Sequence, residues 1–386
     1  MTKRPIAVFT PTLNDYGGTE RATLRCILDW AKDRRVTVYC RDLDVKLPES
    51  VEVMTVTLPR RPALVAWPAF LAWASFRARR LRQLPAPPII FTPGTNLVGA
   101  DLTVAHIFFH QTRTVLEGDL VAPGQRKRRS FRRIAHPRQF HGWLYGRAVE
   151  LVEHRHYERS RFVLAVSDLE AAAMRSRGLH VEAVAPNGVD LHEFDVARVP
   201  PNGGEIRVLC VGSEIDKKGL DILIDAVSTP GLRDRTILTI VTRPNNAPEL
   251  HARASRNGFE GLRVRTETVP ASELFQSCDI YVAASREDSF NMPALEAMAS
   301  GVPVVLSTRC GVSELARPTD AALLVEPSVG DVTAALTSLI DTPGLREIQA
   351  MRGLALARKS SWDTSLAVIS RFLTALDASQ GDLANS

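Results

Sequence analysis

No stretch of this 386-residue chain is long enough to cross a bilayer as a helix. The nearest candidate, Ala63 to Phe76, is fourteen mostly apolar residues, where a span needs about 20. Arg77, Arg79, Arg80 and Arg82 follow it directly, so it reads as a core helix with a solvated end or as an interfacial helix. The five cysteines (Cys26, Cys40, Cys210, Cys278, Cys310) show no C-x-x-C spacing. That argues against a disulfide framework or a zinc site and for reduced core thiols in a cytoplasmic protein. The histidines have no zinc spacing either. There is no G-x-G-x-x-G and no Walker loop, which counts against NAD and ATP chemistry, and no G-x-S-x-G elbow. The start, Met1 to Phe9, has too short an apolar run for a secretion signal and reads as a first strand.

What is present is an ordinary globular composition, 45% hydrophobic and 24% charged. At this length two domains are the natural expectation. The net charge of +5 is unevenly spread: residues 1–200 hold 30 basic against 20 acidic residues, and residues 201–386 hold 18 against 23. The excess concentrates in Gln125 to Arg138, with seven basic residues and no acid. Such a run is either a solvated face or a surface for an anionic acceptor or an acidic membrane. Nothing resembles a nucleic-acid-binding module.

Strand and helix patterns alternate in both halves, which implies two parallel-sheet domains. Strands are expected at Ile6–Phe9, Val36–Tyr39, Ile89–Phe91, Leu102–Ala105, Phe162–Val166 and Val181–Ala185. A polar, Pro- and Gly-rich stretch then ends in Pro200-Pro-Asn-Gly-Gly204. A second series begins at Ile206–Val211. The expected division is a domain over 1–187, a linker over 188–205, a second domain over 206–358, a C-terminal helix over 359–378 and a tail over 379–386.

The densest chemistry lies in Asp288-Ser-Phe-Asn-Met-Pro-Ala-Leu-Glu296, followed by Gly301 and the apolar Val302–Leu306. Pro293 suits the start of a helix and Gly301 its end. Asp288 should therefore lie on a loop, and Glu296 in the first turn of a helix. In an open α/β sheet ligands bind at this kind of position. Helix-start amides favour anionic groups, and carboxylates accept hydrogen bonds from sugar hydroxyls. Two further stretches follow strands in the same way: Tyr16-Gly17-Gly18-Thr-Glu20-Arg21 and Val211-Gly212-Ser213-Glu-Ile-Asp-Lys217-Lys218-Gly219. Asp42-Leu-Asp44 is a D-x-D sequence, read as a solvated loop rather than a metal site.

These motifs together resemble the retaining GT-B glycosyltransferases of family 4, the glycosyl transferases group 1. Asp288 to Glu296 resembles the family's E-x7-E, with Asp288 in the first position and Glu287 just before it. Gly17-Gly18 resembles its G-G-x-E-R loop. Gly212 to Gly219 resembles its V-G-R…K-G segment, with Lys218 at the lysine and Ser213 where the family has arginine. Ala165-Val-Ser167, Pro186-Asn187-Gly188-Val-Asp190 and Gly311-Val-Ser-Glu314 add structural matches.

The resemblance implies an α/β, GT-B architecture of two Rossmann-like, doubly wound domains facing each other across a cleft. It implies a transferase moving a sugar from a nucleotide-diphosphate donor to an acceptor hydroxyl with retention, without a metal ion or resident cofactor. Lys218, Asp288 and His106, which follows the strand Leu102–Ala105, are the expected catalytic residues. Gly17, Gly18, Ser213, Arg243, Glu287, Ser289, Phe290, Asn291, Met292 and Glu296 are expected to line the donor. Lys217 and Arg243 are candidates for the charge that Ser213 does not supply. The acceptor is expected to be anionic or lipid-linked, with peripheral contact at the inner membrane face. A sugar-nucleotide epimerase and a catalytically silent sugar-nucleotide-binding protein are the rival readings.

Overall fold

The computed structural model describes residues 3–119, 137–194, 204–267 and 269–384. Residues 125–136 of the basic segment, and the side chains of all of 125–138, thus lie outside the described residues. The chain forms two compact units, one of residues 1–186 with 363–386 and one of residues 187–362.

The first unit is built on a seven-stranded sheet. Its strands are β1 (Ile6–Phe9), β3 (Val36–Cys40), β5 (Val51–Thr55), β6 (Ile89–Pro93), β7 (Leu102–Ala105), β8 (Phe162–Ala165) and β9 (Ala183–Val184), in the order β5-β3-β1-β6-β7-β8-β9. Every pairing is parallel. Ile6, Val8 and Phe9 are fully buried, as expected where helices cover a parallel sheet on both faces. Helix Ala63–Arg82 buries Ala66, Phe70, Ala74, Ala78 and Leu81 on one face and leaves Val65 and Phe76 exposed. Among the described residues no helix is long and apolar enough to cross a membrane.

A small parallel pair joins β2 (Thr12–Asn14) to β4 (Asp42–Asp44). The D-x-D sequence is therefore a strand, not a loop. Its acids are engaged: Asp42 accepts from Arg41 at 2.6 Å and Arg60 at 2.7 Å, and Asp44 accepts from the Tyr16 hydroxyl at 3.4 Å.

The second unit has a six-stranded parallel sheet of β10 (Ile206–Val211), β11 (Thr236–Val241), β12 (Leu262–Arg265), β13 (Ile280–Ala283), β14 (Val304–Ser307) and β15 (Leu323–Val325). Its order, β12-β11-β10-β13-β14-β15, is the Rossmann order, with the reversal between β10 and β13. Val208, Cys210, Leu238, Ile240 and Val282 form its core with helices Leu220–Val227 and Val329–Asp341. The five cysteines of the chain are buried free thiols.

Residues 188–194, expected in a linker, belong to the second unit, as does Asn187, expected in the first domain. Val189 bridges to Ser361, a Cβ at Gly188 would collide with the backbone at Ser361 and Trp362, and Phe194 packs on Phe275. The second unit likewise runs past residue 358, through helix Pro343–Lys359 to Trp362.

The last helix, Trp362–Ala384, continues through most of the stretch read as a tail. Beyond Trp362 it belongs to the first unit. It is fastened there by Asp377, which accepts from the Arg4 amide at 3.1 Å and from the Arg34 guanidinium at 3.1 and 2.8 Å. The Arg34 side chain is 6% exposed and that of Asp377 11%. Removing one partner of such a pair strands a buried charge. Asp377→Ala is expected to destabilise the first unit by about 3 kcal/mol. Chemical denaturation followed by circular dichroism measures this, and a loss below about 0.5 kcal/mol, the size of an exposed pair, would refute it.

Candidate functional site

The reversal of strand order between β10 and β13 places two loops side by side. After β10 the chain runs through Gly212 into the short helix Ile215–Lys218 and then turns at Gly219, whose φ is +63°. Glycine is required there twice over. The conformation is left-handed, and a Cβ would collide with the carbonyl oxygen of Ala284. Gly212 lies under Lys218, so closely that a Cβ would sit 2.8 Å from the lysine Cγ.

After β13, residues 284–291 carry the acids. This loop is held on both sides. The Arg286 amide donates to the Lys217 carbonyl at 2.9 Å, and its guanidinium donates to the Asp216 carbonyl at 2.7 Å and to both oxygens of Asp221 at 2.8 Å. On the other side the Asp288 amide donates to the Arg309 carbonyl at 3.1 Å, and the Gly311 amide to the Asp288 carbonyl at 3.0 Å.

The side chains then pair in register. Lys217 Nζ lies 2.9 Å from Glu287 Oε2, and Lys218 Nζ 2.5 Å from Asp288 Oδ2. Asn291 Nδ2 donates to the same Asp288 oxygen at 2.8 Å. Asn291 itself has φ +71° and caps helix Met292–Ala299 by accepting from the Ala294 amide at 3.0 Å. Because that helix starts at Met292, Glu296 lies in its second turn rather than its first, and it is buried.

Burial alone would push the Asp288 carboxyl up, but Lys218 and Lys217, with the Asn291 bond, hold it below the usual carboxylate range. Burial likewise opposes the charge on Lys217, and Glu287, Glu214 and Asp288 outweigh it, so its pKa is raised. Each pair thus holds one group in its charged form, Asp288 in one pair and Lys217 in the other. They differ in access: the Lys217 side chain is 7% exposed and the Lys218 side chain 22%. Lys217 is locked on Glu287, whereas Lys218 is the more accessible of the two.

Lys217, Lys218, Glu287, Asp288 and Asn291 are thus brought into one network. Phe290 and Met292 are buried beside it in sequence, and the Ser289 hydroxyl is buried without a hydrogen-bond partner among the described residues. Ser213 is half-buried, and its carbonyl accepts from Asn246 at 2.9 Å. Arg243 is exposed just beyond β11 and, among the described residues, makes no hydrogen bond or ion pair to the network. Gly17, Gly18 and His106 lie in the first unit. Gly17 and Gly18 open helix Gly18–Trp30, and Asn14 accepts from the Gly17 amide at 2.8 Å. His106 follows β7, and burial lowers its pKa to about 4, so its ring is neutral near pH 7. Arg286 and Asp221, which pin the two loops together, were not among the expected residues. The signal that could have found them is the pair of doublets, Lys217-Lys218 and Glu287-Asp288, which only a fixed loop register can match.

Residues 205–342 match the family described as Glycosyl transferases group 1. Similarity to curated proteins is partial. The chain is 29% identical over 208 residues to a D-inositol 3-phosphate glycosyltransferase of Actinosynnema mirum, covering 47% of this chain and 48% of that protein. It is 28% identical over 220 residues to a phosphatidyl-myo-inositol mannosyltransferase of Mycobacterium tuberculosis, covering 54% and 58%. The chain thus spans about half the length of the curated relatives it matches. Among solved structures it resembles WaaG, a glycosyltransferase involved in lipopolysaccharide biosynthesis, with a TM-score of 0.75 at 16% identity over 96% of this chain and 99% of that one. It also resembles sucrose-phosphate synthase from Thermosynechococcus elongatus, with a TM-score of 0.74 at 16% identity over 98% and 100%. These likenesses show the fold, an α/β arrangement of two Rossmann-like domains of the GT-B class.

The placement of the lysine doublet depends on Gly219. Gly219→Ala forces a left-handed alanine against the Ala284 carbonyl, with an expected loss of about 2 kcal/mol or more. A urea titration of the variant measures it; a midpoint equal to the wild type's contradicts the close approach.

Proposed function

We propose that the protein is a glycosyltransferase that moves a sugar from a nucleotide-diphosphate donor to an acceptor hydroxyl, with retention of configuration. The observation that carries this reading is the Lys218–Asp288 pair at the strand-order reversal of a group 1 glycosyl transferase domain, with Glu296 in the helix that follows. Lys218 meets the charge that builds on the leaving diphosphate, a stabilisation greater in the transition state than in the ground state. Asp288 and the neighbouring amides hold the donor hexose, Glu296 holds the nucleotide ribose, and neutral His106 positions the sugar. Gly17 and Gly18 let the backbone approach the ligand. Since Lys217 is committed to Glu287, Arg243 is the remaining candidate for the charge Ser213 does not supply.

The reading extends to the acceptor and the setting. The excess of basic residues in residues 1–200, together with Val65 and Phe76 exposed on helix Ala63–Arg82, supports an anionic or lipid-linked acceptor at a cytoplasmic membrane face. The product is then a glycan, glycolipid or glycosylated metabolite. In the metal-independent reading the diphosphate charge is met by Lys218 and loop amides, so turnover is expected to survive EDTA; activity lost to EDTA and restored by magnesium or manganese would contradict it.

The function is tested by screening sugar nucleotides for stabilisation of the full chain, where a ligand at 100 times its Kd adds about 2.7 kcal/mol, and then assaying transfer with the stabilising donor. Donor turnover with no acceptor present would favour epimerisation, and binding without turnover a silent protein. Lys218→Ala is expected to cut kcat about a hundredfold, the size seen on removing one preorganised donor. A kcat within about threefold of wild type, under 1 kcal/mol of barrier, removes Lys218 from the reaction.

A further inference from the structure

The sheet of the second unit is unequal on its two faces. Val208, Cys210, Leu238 and Ile240 point into the core. The alternate positions of β10, β11 and β12 carry Arg207, Thr239, Arg263 and Arg265, and Thr239 stands between Leu209 and Arg263 in register. A parallel sheet is ordinarily covered on both faces by apolar helices. Here these side chains, with Leu274 of helix Ala271–Gln276, line a cavity of about 210 Å³.

The charges in this cavity are not balanced. Arg207 is held by Asp279 through bonds of 2.9 and 2.8 Å, so it is fixed as a wall. Arg265 pairs with Glu267 at 3.0 Å, but both side chains are exposed, at 40% and 59%, and such a pair contributes little. Arg263 is exposed and has no acid within ion-pair distance among the described residues. Two guanidiniums two residues apart on one strand face are therefore available, beside the Thr239 hydroxyl. A planar fork of N–H donors suits phosphate oxygens. The volume is below the roughly 300–1,000 Å³ of pockets that take drug-sized ligands. None of Lys217, Lys218, Glu287 and Asp288 lines it.

We propose that this cavity is a second anion site, which binds the phosphate group of a small ligand through Arg263 and Arg265, separately from the Lys218–Asp288 pair. The proposal does not depend on the transferase reading. It is tested by calorimetric titration of the full chain with inorganic phosphate and with glycerol 3-phosphate at constant ionic strength. Wild type, Lys218→Ala and the double variant Arg263→Gln/Arg265→Gln are compared, and Arg263→Lys retains the charge without the fork. Saturable binding is expected to persist in Lys218→Ala and to weaken at least tenfold in the double variant, with Arg263→Lys between them. Tighter binding of glycerol 3-phosphate than of phosphate identifies a phosphomonoester, and equal binding identifies free phosphate. Absence of saturable binding in Lys218→Ala, or unchanged affinity in the folded double variant, overturns the proposal.

Discussion

The candidate site depends on how closely the loop after β10 approaches the loop after β13. Gly219 lies against the Ala284 carbonyl, Gly212 lies under Lys218, and Arg286 bonds to the Lys217 and Asp216 carbonyls and to Asp221. This fixes the register in which Lys217 meets Glu287 and Lys218 meets Asp288. Two buried acids side by side are costly unless each has a cation, and breaking one pair would leave a charge in a low-dielectric setting. The network is therefore self-consistent only as a whole, which is what a preorganised electrostatic site requires.

The two pairs have different uses despite their similar chemistry. Lys217 and Glu287 are nearly inaccessible and act as a strut between the loops. Lys218 and Asp288 are more exposed and share a hydrogen-bond network with Asn291, whose strained conformation starts the helix bearing Glu296. In the proposed reading a donor diphosphate takes Lys218 as its counter-ion, while Asn291 and Lys217 still offset the charge on Asp288.

Much of the fold was legible in the sequence. Apolar runs such as Ile206–Val211, buried at its centre, and Ile280–Val282, buried throughout, are parallel strands, and they read as such. The strand Leu262–Arg265 did not, because its alternation of Leu262 and Val264 with Arg263 and Arg265 gives one apolar face too short to stand out. The strand Leu323–Val325 has only three residues, and Val51–Thr55 is half polar. The Asp288–Glu296 stretch announced the site, but its helix begins at Met292 because Asn291, in a left-handed conformation, serves as the cap. Nothing local distinguished Lys217 from Lys218. Their separation into strut and reachable cation is a tertiary effect of burial.

The central claim is that the second unit holds a nucleotide-diphosphate sugar between Lys218, Asp288 and Glu296. Calorimetric titration of wild type and Glu296→Gln with the donor found by screening tests it most directly. The substitution keeps the shape and removes the charge-assisted bonds to the ribose, each about 1.5–3 kcal/mol. Donor affinity is expected to fall about tenfold or more with folding intact, whereas an unchanged Kd would contradict the account.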